Sequence, residues 1–168
     1  LGEDFAKLLE ANKLGGKVEW VDATPRRLAL RAKGLPERQA DREELISGPP
    51  KSAGEGAAQG FARRQGVGVE ALESVVTPKG EYLAYRKKIA GRTTAEILAE
   101  ALPGLILGLY FPKTMFWTTK GGPRFIRPIR WLVALLGKDV VEFELAGVKS
   151  GNVSRGHRKL GKAAIKVT

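Results

Sequence analysis

The sequence contains no cysteine and only one histidine, His157, among its 168 residues. Without cysteine, a chain has no disulfide framework, no thiolate zinc site and no cysteine nucleophile, and this composition agrees with the reducing cytosol. One histidine cannot supply a two-histidine metal site or a pair of histidine acid–base groups within one chain. We therefore expect a cytoplasmic protein without zinc chemistry.

Long apolar runs are also missing. The longest apolar stretches, 102–111 and 131–136, fall short of the roughly 20 residues that a membrane helix needs. No basic segment followed by an apolar one opens the chain, so we expect no membrane partner. The chain begins at Leu1 and its single methionine is Met115, so we expect either a piece excised from a longer protein or a processed chain.

Acidic residues are scarce in the second part of the chain. The formal net charge is +11; the first 100 residues hold 17 basic and 15 acidic side chains, and the last 68 hold 12 basic and 3 acidic ones. Residues 101–138 contain no acid, and Trp117, Phe125 and Trp131 lie among the bases. Rings among cations suit base stacking and phosphate contact, which favours a nucleic-acid partner. The alternative is a solvated basic surface with Phe125 and Trp131 in the core.

Apolar periodicity and capping signals predict four helices. Three of them are short and cover 4–11, 58–65 and 69–75. The fourth begins at a capping box formed by Thr93 and Glu96, and we expect Pro103 to kink or restart it.

Alternating apolar residues predict strands over 18–22, 26–33 and 82–90, and a hairpin of 131–136 with 140–145. Residues 34–56, which combine glycines and prolines with a charged run, are predicted to be mostly loop, and 147–156 to be loop-like. Helices and short strands without βαβ alternation predict an α+β fold with antiparallel or mixed sheets and short packed helices. We expect one domain over 1–168, with any division into two lobes near 48–56.

Motifs for nucleotide binding or catalysis are not found. The sequence has no G-x-x-x-x-G-K-[ST] loop, no G-x-G-x-x-G between a strand and a helix, and no G-x-S-x-G turn. His157 lacks the spacing to a serine and an aspartate that would suggest a triad. We predict no catalytic and no metal-binding residue.

Six motifs nevertheless occur in a specific order. They are T-P-R-R-L-A from Thr24, G-F-A-R-R-Q-G over 60–66, K-G-E-Y-L over 79–83, P-K-T-M-F-W over 112–117, F-I-R-P-I-R-W-L over 125–132, and G-H-R over 156–158. Together they resemble the N-terminal region of the beta subunit of bacterial two-subunit glycyl-tRNA synthetase. That family usually has a basic residue where this chain has Phe116.

The resemblance implies a fold similar to the editing-type domain of the phenylalanyl-tRNA synthetase beta subunit. It implies a role in ligating glycine to tRNA by an alpha–beta assembly, whose alpha subunit holds ATP and magnesium. We therefore expect no cofactor in this fragment and no catalysis by it alone. The implied partners are tRNA, the alpha subunit and the remaining beta-subunit domains.

The candidate RNA-binding or interface residues are ten basic or aromatic side chains that lie in or directly beside four of these motifs: Arg26, Arg27, Lys113, Trp117, Arg124, Arg127, Arg130, Arg155, His157 and Arg158. Two other functions stay open. One is hydrolysis of misacylated tRNA, for which glycine, the smallest amino acid, gives little reason. The other is a structural scaffold that holds other subunits or domains.

The surroundings of the arginines separate the scaffold from the RNA-binding module. A scaffold predicts that Arg26, Arg124, Arg127 and Arg130 are paired or packed, with Glu142 as a partner for Arg127. An RNA-binding module predicts an open basic face instead.

Overall fold

The computed structural model describes residues 1–78, 80–156, 161 and 164–168. The chain divides into two units: Leu1–Gln39 with Arg92–Thr168, and Ala40–Gly91. Residues 48–56 lie inside the second unit. No helix in the described part of the chain has the length and apolarity required to cross a membrane.

The described residues form three α-helices and a series of mostly short strands. The helices are α1 (Gly2–Ala11), α2 (Glu55–Gln65) and α3 (Thr94–Gly108). The longer strands are β1 (Lys17–Thr24), β2 (Arg27–Lys33), β3 (Arg42–Pro50), β4 (Leu72–Thr77) and β5 (Gly80–Ile89). The shorter ones are β6 (Met115–Phe116), β7 (Arg124–Phe125), β8 (Leu132–Val133), β9 (Leu135–Leu136), β10 (Asp139–Val140), β11 (Glu144–Leu145), β12 (Val148–Gly151), β13 (Val153–Ser154) and β14 (Ile165–Lys166).

Their pairing is antiparallel except where β12 runs parallel to β8. The predicted α+β class with antiparallel or mixed sheets is therefore confirmed.

The second unit is a three-stranded antiparallel sheet in the order β3-β5-β4, with α2 packed against it. Ala58, Phe61 and Ala62 of α2 and Ala84 of β5 are buried. Arg86, on the central strand, pairs with Glu43 of β3 at 3.2 Å and with Glu73 of β4 at 2.9 Å. These two ion pairs connect all three strands.

Two predictions in this unit are wrong. The charged segment expected to be loop contains β3, whose Ile46 pairs with Tyr85 of β5. The helix expected over 69–75 is a single 3₁₀ turn, Val69–Ala71, followed by β4. In both places pairing with β5 determines the backbone. For β3 this partner is distant in sequence and leaves no local signal, whereas β4 forms a hairpin with β5, so there tertiary pairing overrides the helical pattern of 69–75.

The core of the first unit lies between α1 and α3. Phe5 and Leu9 of α1 pack with Ile97 and Leu98 of α3 and with Val141. The predicted capping box is confirmed, since Thr93 Oγ1 accepts the Glu96 amide and the Glu96 carboxylate accepts the Thr93 amide. Helix α3 continues through Pro103 to Gly108.

The predicted hairpin of residues 131–145 is confirmed only at its centre, where β9 pairs with β10. Its outer segments pair with β12 instead, β8 in parallel and β11 in antiparallel. Ser150 of β12 supports this arrangement, because its hydroxyl donates to the Val141 carbonyl at 2.7 Å and accepts the Phe143 amide at 2.8 Å. The prediction that 147–156 is loop-like is therefore wrong.

Candidate nucleic-acid interface

The β6–β7 ribbon carries one predicted interface residue, Arg124, and three others, Lys113, Trp117 and Arg127, lie within three residues of its strands. Met115 pairs with Phe125, and Phe116 with Arg124. Phe125 is buried and makes edge-to-face contacts with Phe111 at 5.2 Å and Trp117 at 6.4 Å between ring centroids. Such contacts favour one arrangement of the rings. Trp117 is half-buried, so it helps to fix the ribbon through its contact with Phe125.

Three predicted cations converge beside this ribbon. Lys113, Arg127 and Arg130 line an open cavity of about 720 Å³. The other lining residues are apolar: Pro112, Met115, Ile126 and Pro128. We call this cavity, defined by its seven lining residues, the proline-flanked pocket.

Arg124 is exposed but held in place. Its guanidinium lies 5.2 Å from the centroid of the Phe116 ring, and its Nη2 donates to the Thr114 carbonyl at 3.4 Å. Phe116, which occupies a position that is usually basic in the resembled family, thus serves as a platform for a neighbouring cation.

A second group forms where the start of β2 meets the residues after β13. Arg27 donates a hydrogen bond to the backbone carbonyl of Arg155, and the Arg155 guanidinium lies 6.0 Å from the centroid of the Trp131 ring. Trp131 is half-buried, in contrast to the fully buried Phe125. It lines a cavity of about 430 Å³ together with Arg130, Lys149 and Asn152, among others, which we call the Trp131 pocket. Arg130 lines both pockets, so the two groups are adjacent.

The remaining predicted residues are Arg26, His157 and Arg158. Arg26 is exposed in the turn between β1 and β2, where its amide donates to Thr24 Oγ1 at 3.3 Å. His157 and Arg158 lie outside the described residues.

The whole chain, residues 1–168, matches the family model described as glycyl-tRNA synthetase beta subunit. The chain belongs to this family. Among relatives named glycine–tRNA ligase beta subunit, that of Acidobacterium capsulatum is 47% identical over 99% of this chain and 25% of its own length. That of Oleidesulfovibrio alaskensis is 42% identical over 100% of this chain and 26% of its length. The chain thus spans about a quarter of the length of these relatives, and the family predicted from the motifs is confirmed.

In this member of the beta-subunit family, none of the carboxylates with described ion pairs lines either pocket. Glu19 binds Arg31 and Lys33, and the hydrogen bond from Lys33 lowers the pKa of Glu19. Likewise, the hydrogen bond from Arg86 lowers the pKa of Glu73. These carboxylates therefore stay ionised and locally neutralised.

The pocket cations differ from these paired groups. Within the described residues, no ion pair involves Lys113, Arg127, Arg130 or Arg155. The pair of Arg127 with Glu142 that a scaffold predicts is not formed, and the arginines and the lysine of the proline-flanked pocket are exposed. The positive potential here is consequently not cancelled by neighbouring described carboxylates.

The sequence reasoning missed the apolar members of the proline-flanked pocket. Met115 and Ile126 are 50% and 44% exposed, although each stands next to an aromatic residue in the sequence, a pattern typical of a core. The sequence did contain one signal for them, because each of the two residues lies within a motif that the beta-subunit family shares and that also contains a predicted cation. In the described part of the chain, no three histidine, aspartate or glutamate side chains are placed to hold a metal ion.

Proposed function

We propose that this chain is a non-catalytic, tRNA-engaging and assembly module of a glycyl-tRNA synthetase. In this proposal the alpha subunit, with ATP and magnesium, ligates glycine to tRNA, and the present chain supports that reaction. The observation that carries the proposal is the group of exposed cations without described ion pairs, Lys113, Arg127 and Arg130, beside exposed apolar side chains.

The distribution of these cations favours a polymer over a small acidic ligand. Arg130 joins the proline-flanked pocket to the Trp131 pocket, and Arg155 extends the positive surface beyond both. Arginine forks suit phosphate oxygens, and successive phosphates along RNA match cations that are spread over a surface. Each phosphate contact releases counterions, so the affinity should fall steeply with salt.

The β1–β2 ribbon supports the assembly part of the proposal. Trp20, Val21 and Leu28 are each more than two-fifths exposed. Such apolar side chains gain from being covered by another protein surface. The alpha subunit and the remaining beta-subunit domains are the proposed partners.

A salt titration of tRNA binding to the assembled alpha–beta enzyme tests the RNA-binding role. Between roughly 50 and 200 mM salt we expect a marked loss of affinity, because phosphate contacts release counterions. The double substitution Arg127→Ala with Arg130→Ala should weaken binding and reduce the slope of log affinity against log salt by about 2.

The matched control is Arg63→Ala with Arg64→Ala, which removes two exposed arginines from α2 in the other unit. It removes the same charge and should change the slope much less. Equal effects of the two double variants, or an affinity independent of salt, would reject the proposal. Cleavage of a misacylated tRNA by the assembled enzyme, lost on substitution within this chain, would favour the hydrolase instead.

A further inference from the structure

We propose that the proline-flanked pocket binds one unpaired nucleotide of the RNA. The base would lie against Met115 and Ile126, and the flanking phosphates would contact Lys113, Arg127 and Arg130. This inference rests on the proposed function and narrows it from tRNA in general to a single-stranded part of the molecule.

The size and lining of the pocket fit this ligand. Its volume of about 720 Å³ falls within the roughly 300–1,000 Å³ of ordinary small-ligand sites. Four of its seven lining residues are apolar and the other three are cationic. A nucleotide has the same division, with a flat and largely apolar base face at one end and a phosphate at the other.

The apolar wall is a feature that duplex RNA could not use. Met115 and Ile126 are about half exposed, and covering them requires an apolar surface that enters the pocket. In a duplex the apolar faces of the bases are covered by stacking, and only base edges, sugars and phosphates are exposed; an unpaired nucleotide can turn its base face toward the protein. The apolar wall therefore favours single-stranded RNA.

The prolines give the pocket a defined shape before any ligand binds. Pro112 precedes Lys113, and Pro128 follows Arg127, so two of the three cations are attached to backbone next to a residue with fixed φ. A wall that is already ordered loses less entropy on binding. The Phe125 ring contacts hold the ribbon that carries Met115.

The neighbouring Trp131 pocket favours RNA over an acidic peptide as the ligand class. Arg130 lines both pockets, and Trp131 also lines the second one. The Arg155 guanidinium lies 6.0 Å from the centroid of the Trp131 ring. Here an aromatic ring and a cation lie together, which suits the base and the phosphate of a second, adjacent nucleotide. Within the lining of the proline-flanked pocket there is no carboxylate, hydroxyl or imidazole, so this site is suited to binding rather than proton transfer.

The test combines one substitution with one change in the RNA. The assembled alpha–beta enzyme, with wild-type chain or with Ile126→Ser, is titrated with a fluorescent single-stranded RNA of about six nucleotides and with the same oligonucleotide lacking its bases. Val69→Ser is the control, because Val69 has the same exposed fraction, 44%, but lies in the other unit. We expect Ile126→Ser to weaken binding of the intact oligonucleotide about fivefold, the low end of the cost of losing one base contact.

The abasic oligonucleotide should bind the wild type and Ile126→Ser with equal affinity, since without a base it makes no contact with the apolar wall. Val69→Ser should bind both oligonucleotides with the affinity of the wild type. Equal binding of the intact probe by wild type and Ile126→Ser would overturn the nucleotide pocket. If the arginine double variant still lowered tRNA affinity and its salt slope, the proposed function would stand without the pocket; if it did not, both would fail. Tighter, Ile126-dependent binding of a phosphopeptide of equal charge would overturn the pocket in favour of a protein ligand.

Discussion

At the scale of the residue, Arg155 has two roles that a substitution can separate. Its backbone carbonyl accepts Arg27, whereas its guanidinium is exposed above Trp131. Replacing the side chain therefore leaves the backbone contact in place. In the assembled enzyme we expect Arg155→Ala with Arg158→Ala to raise the KM for tRNA or to weaken assembly, because two fork-shaped donors are lost. Glycyl-adenylate formation by the intact complex should persist.

His157 provides the comparison for this experiment, and His157→Ala should have a smaller effect on the KM. A lone histidine without a carboxylate partner evident in the sequence is a weak candidate for acid–base chemistry. Steady-state aminoacylation and adenylate assays on the same preparations distinguish the variants. Loss of misacylated-tRNA hydrolysis in His157→Ala, with binding unchanged, would replace the RNA-contact role by an editing role.

The candidate interface was predictable from charge and not from apolar pattern. Lys113, Arg127 and Arg130 stand in an acid-free segment, so their excess charge is visible in the sequence. The exposure of Ile126 cannot be deduced from the sequence, because an apolar residue next to Phe125 suggests a buried core position. The contact of Arg27 with Arg155 joins residues 128 positions apart, and no local pattern contains that information.

At the scale of the element, the packing of α2 on its sheet depends on a missing side chain. A Cβ at Gly48 of β3 would lie 2.7 Å from carbon atoms of the Phe61 ring, and Phe61 is a buried residue of α2. Gly48→Ala must therefore displace the ring or the strand. We expect the free energy of unfolding to fall by about 1–3 kcal/mol, as for other overpacked sites, measured by urea denaturation of the full chain.

Gly60→Ala is the matched control for this substitution. Gly60 lies within α2, and a Cβ there would meet nothing within 4 Å. The change should raise the free energy of unfolding by about 0.5–1 kcal/mol, because alanine loses less backbone entropy than glycine in a helix. If Gly48→Ala were neutral while Gly60→Ala stabilised the protein, the close contact of α2 with β3 would be wrong.

The ion pairs between the strands of the same unit predict how the stability of the protein changes at acidic pH. Hydrogen bonds from Arg86 lower the pKa of Glu73 below its ordinary 4.5. The resulting stabilisation is complete above pH 4.5 and is lost as the pH falls through the lowered pKa, where Glu73 takes up a proton. Arg86→Met should thus be less stable than wild type at neutral pH, and the difference should shrink in acid.

Urea unfolding of both proteins at neutral pH and at about pH 3 measures this change. Arg64→Met, an exposed arginine of α2 with no described ion pair, is the control, and its difference from wild type should depend much less on pH. A difference between wild type and Arg86→Met that stays constant with pH would contradict the role of the ion pairs.

Local signals specified some elements and long-range pairing specified others. The capping box at Thr93 and Glu96 marks the start of α3 because its hydrogen bonds lie within four residues. Strand β3 is different, since its Glu43 pairs with Arg86 on another strand. The parallel pairing of Leu132 with Ser150 likewise depends on the position of β12. The alternating pattern of residues 131–145 gives no information about that position.

At the scale of the whole molecule, the chain spans about a quarter of the length of its relatives, and its sequence has no recognisable ATP-binding loop. We predict that the purified chain, supplied with glycine and ATP, gives no pyrophosphate exchange above background. The control is the alpha–beta assembly, which should be active under the same conditions. Glycine-dependent exchange by material free of alpha subunit would contradict the division of labour proposed above.

The two places where the chain passes between its units have a consequence for the order of folding. Gln39 and Arg92 share two hydrogen bonds, from the Gln39 amide to the Arg92 carbonyl at 2.9 Å and from the Arg92 amide to Gln39 Oε1 at 3.3 Å. Bringing such distant residues together in an unfolded chain costs loop-closure entropy. Residues 40–91 form their own sheet, and Asp41 Oδ1 accepts the Gly91 amide at 2.8 Å. Once this second unit has folded, most of the loop-closure entropy has already been lost. We therefore expect the first unit, which consists of two separate chain segments, to complete its folding after the second unit. It should also fold faster than the separation of its two segments in the sequence would suggest.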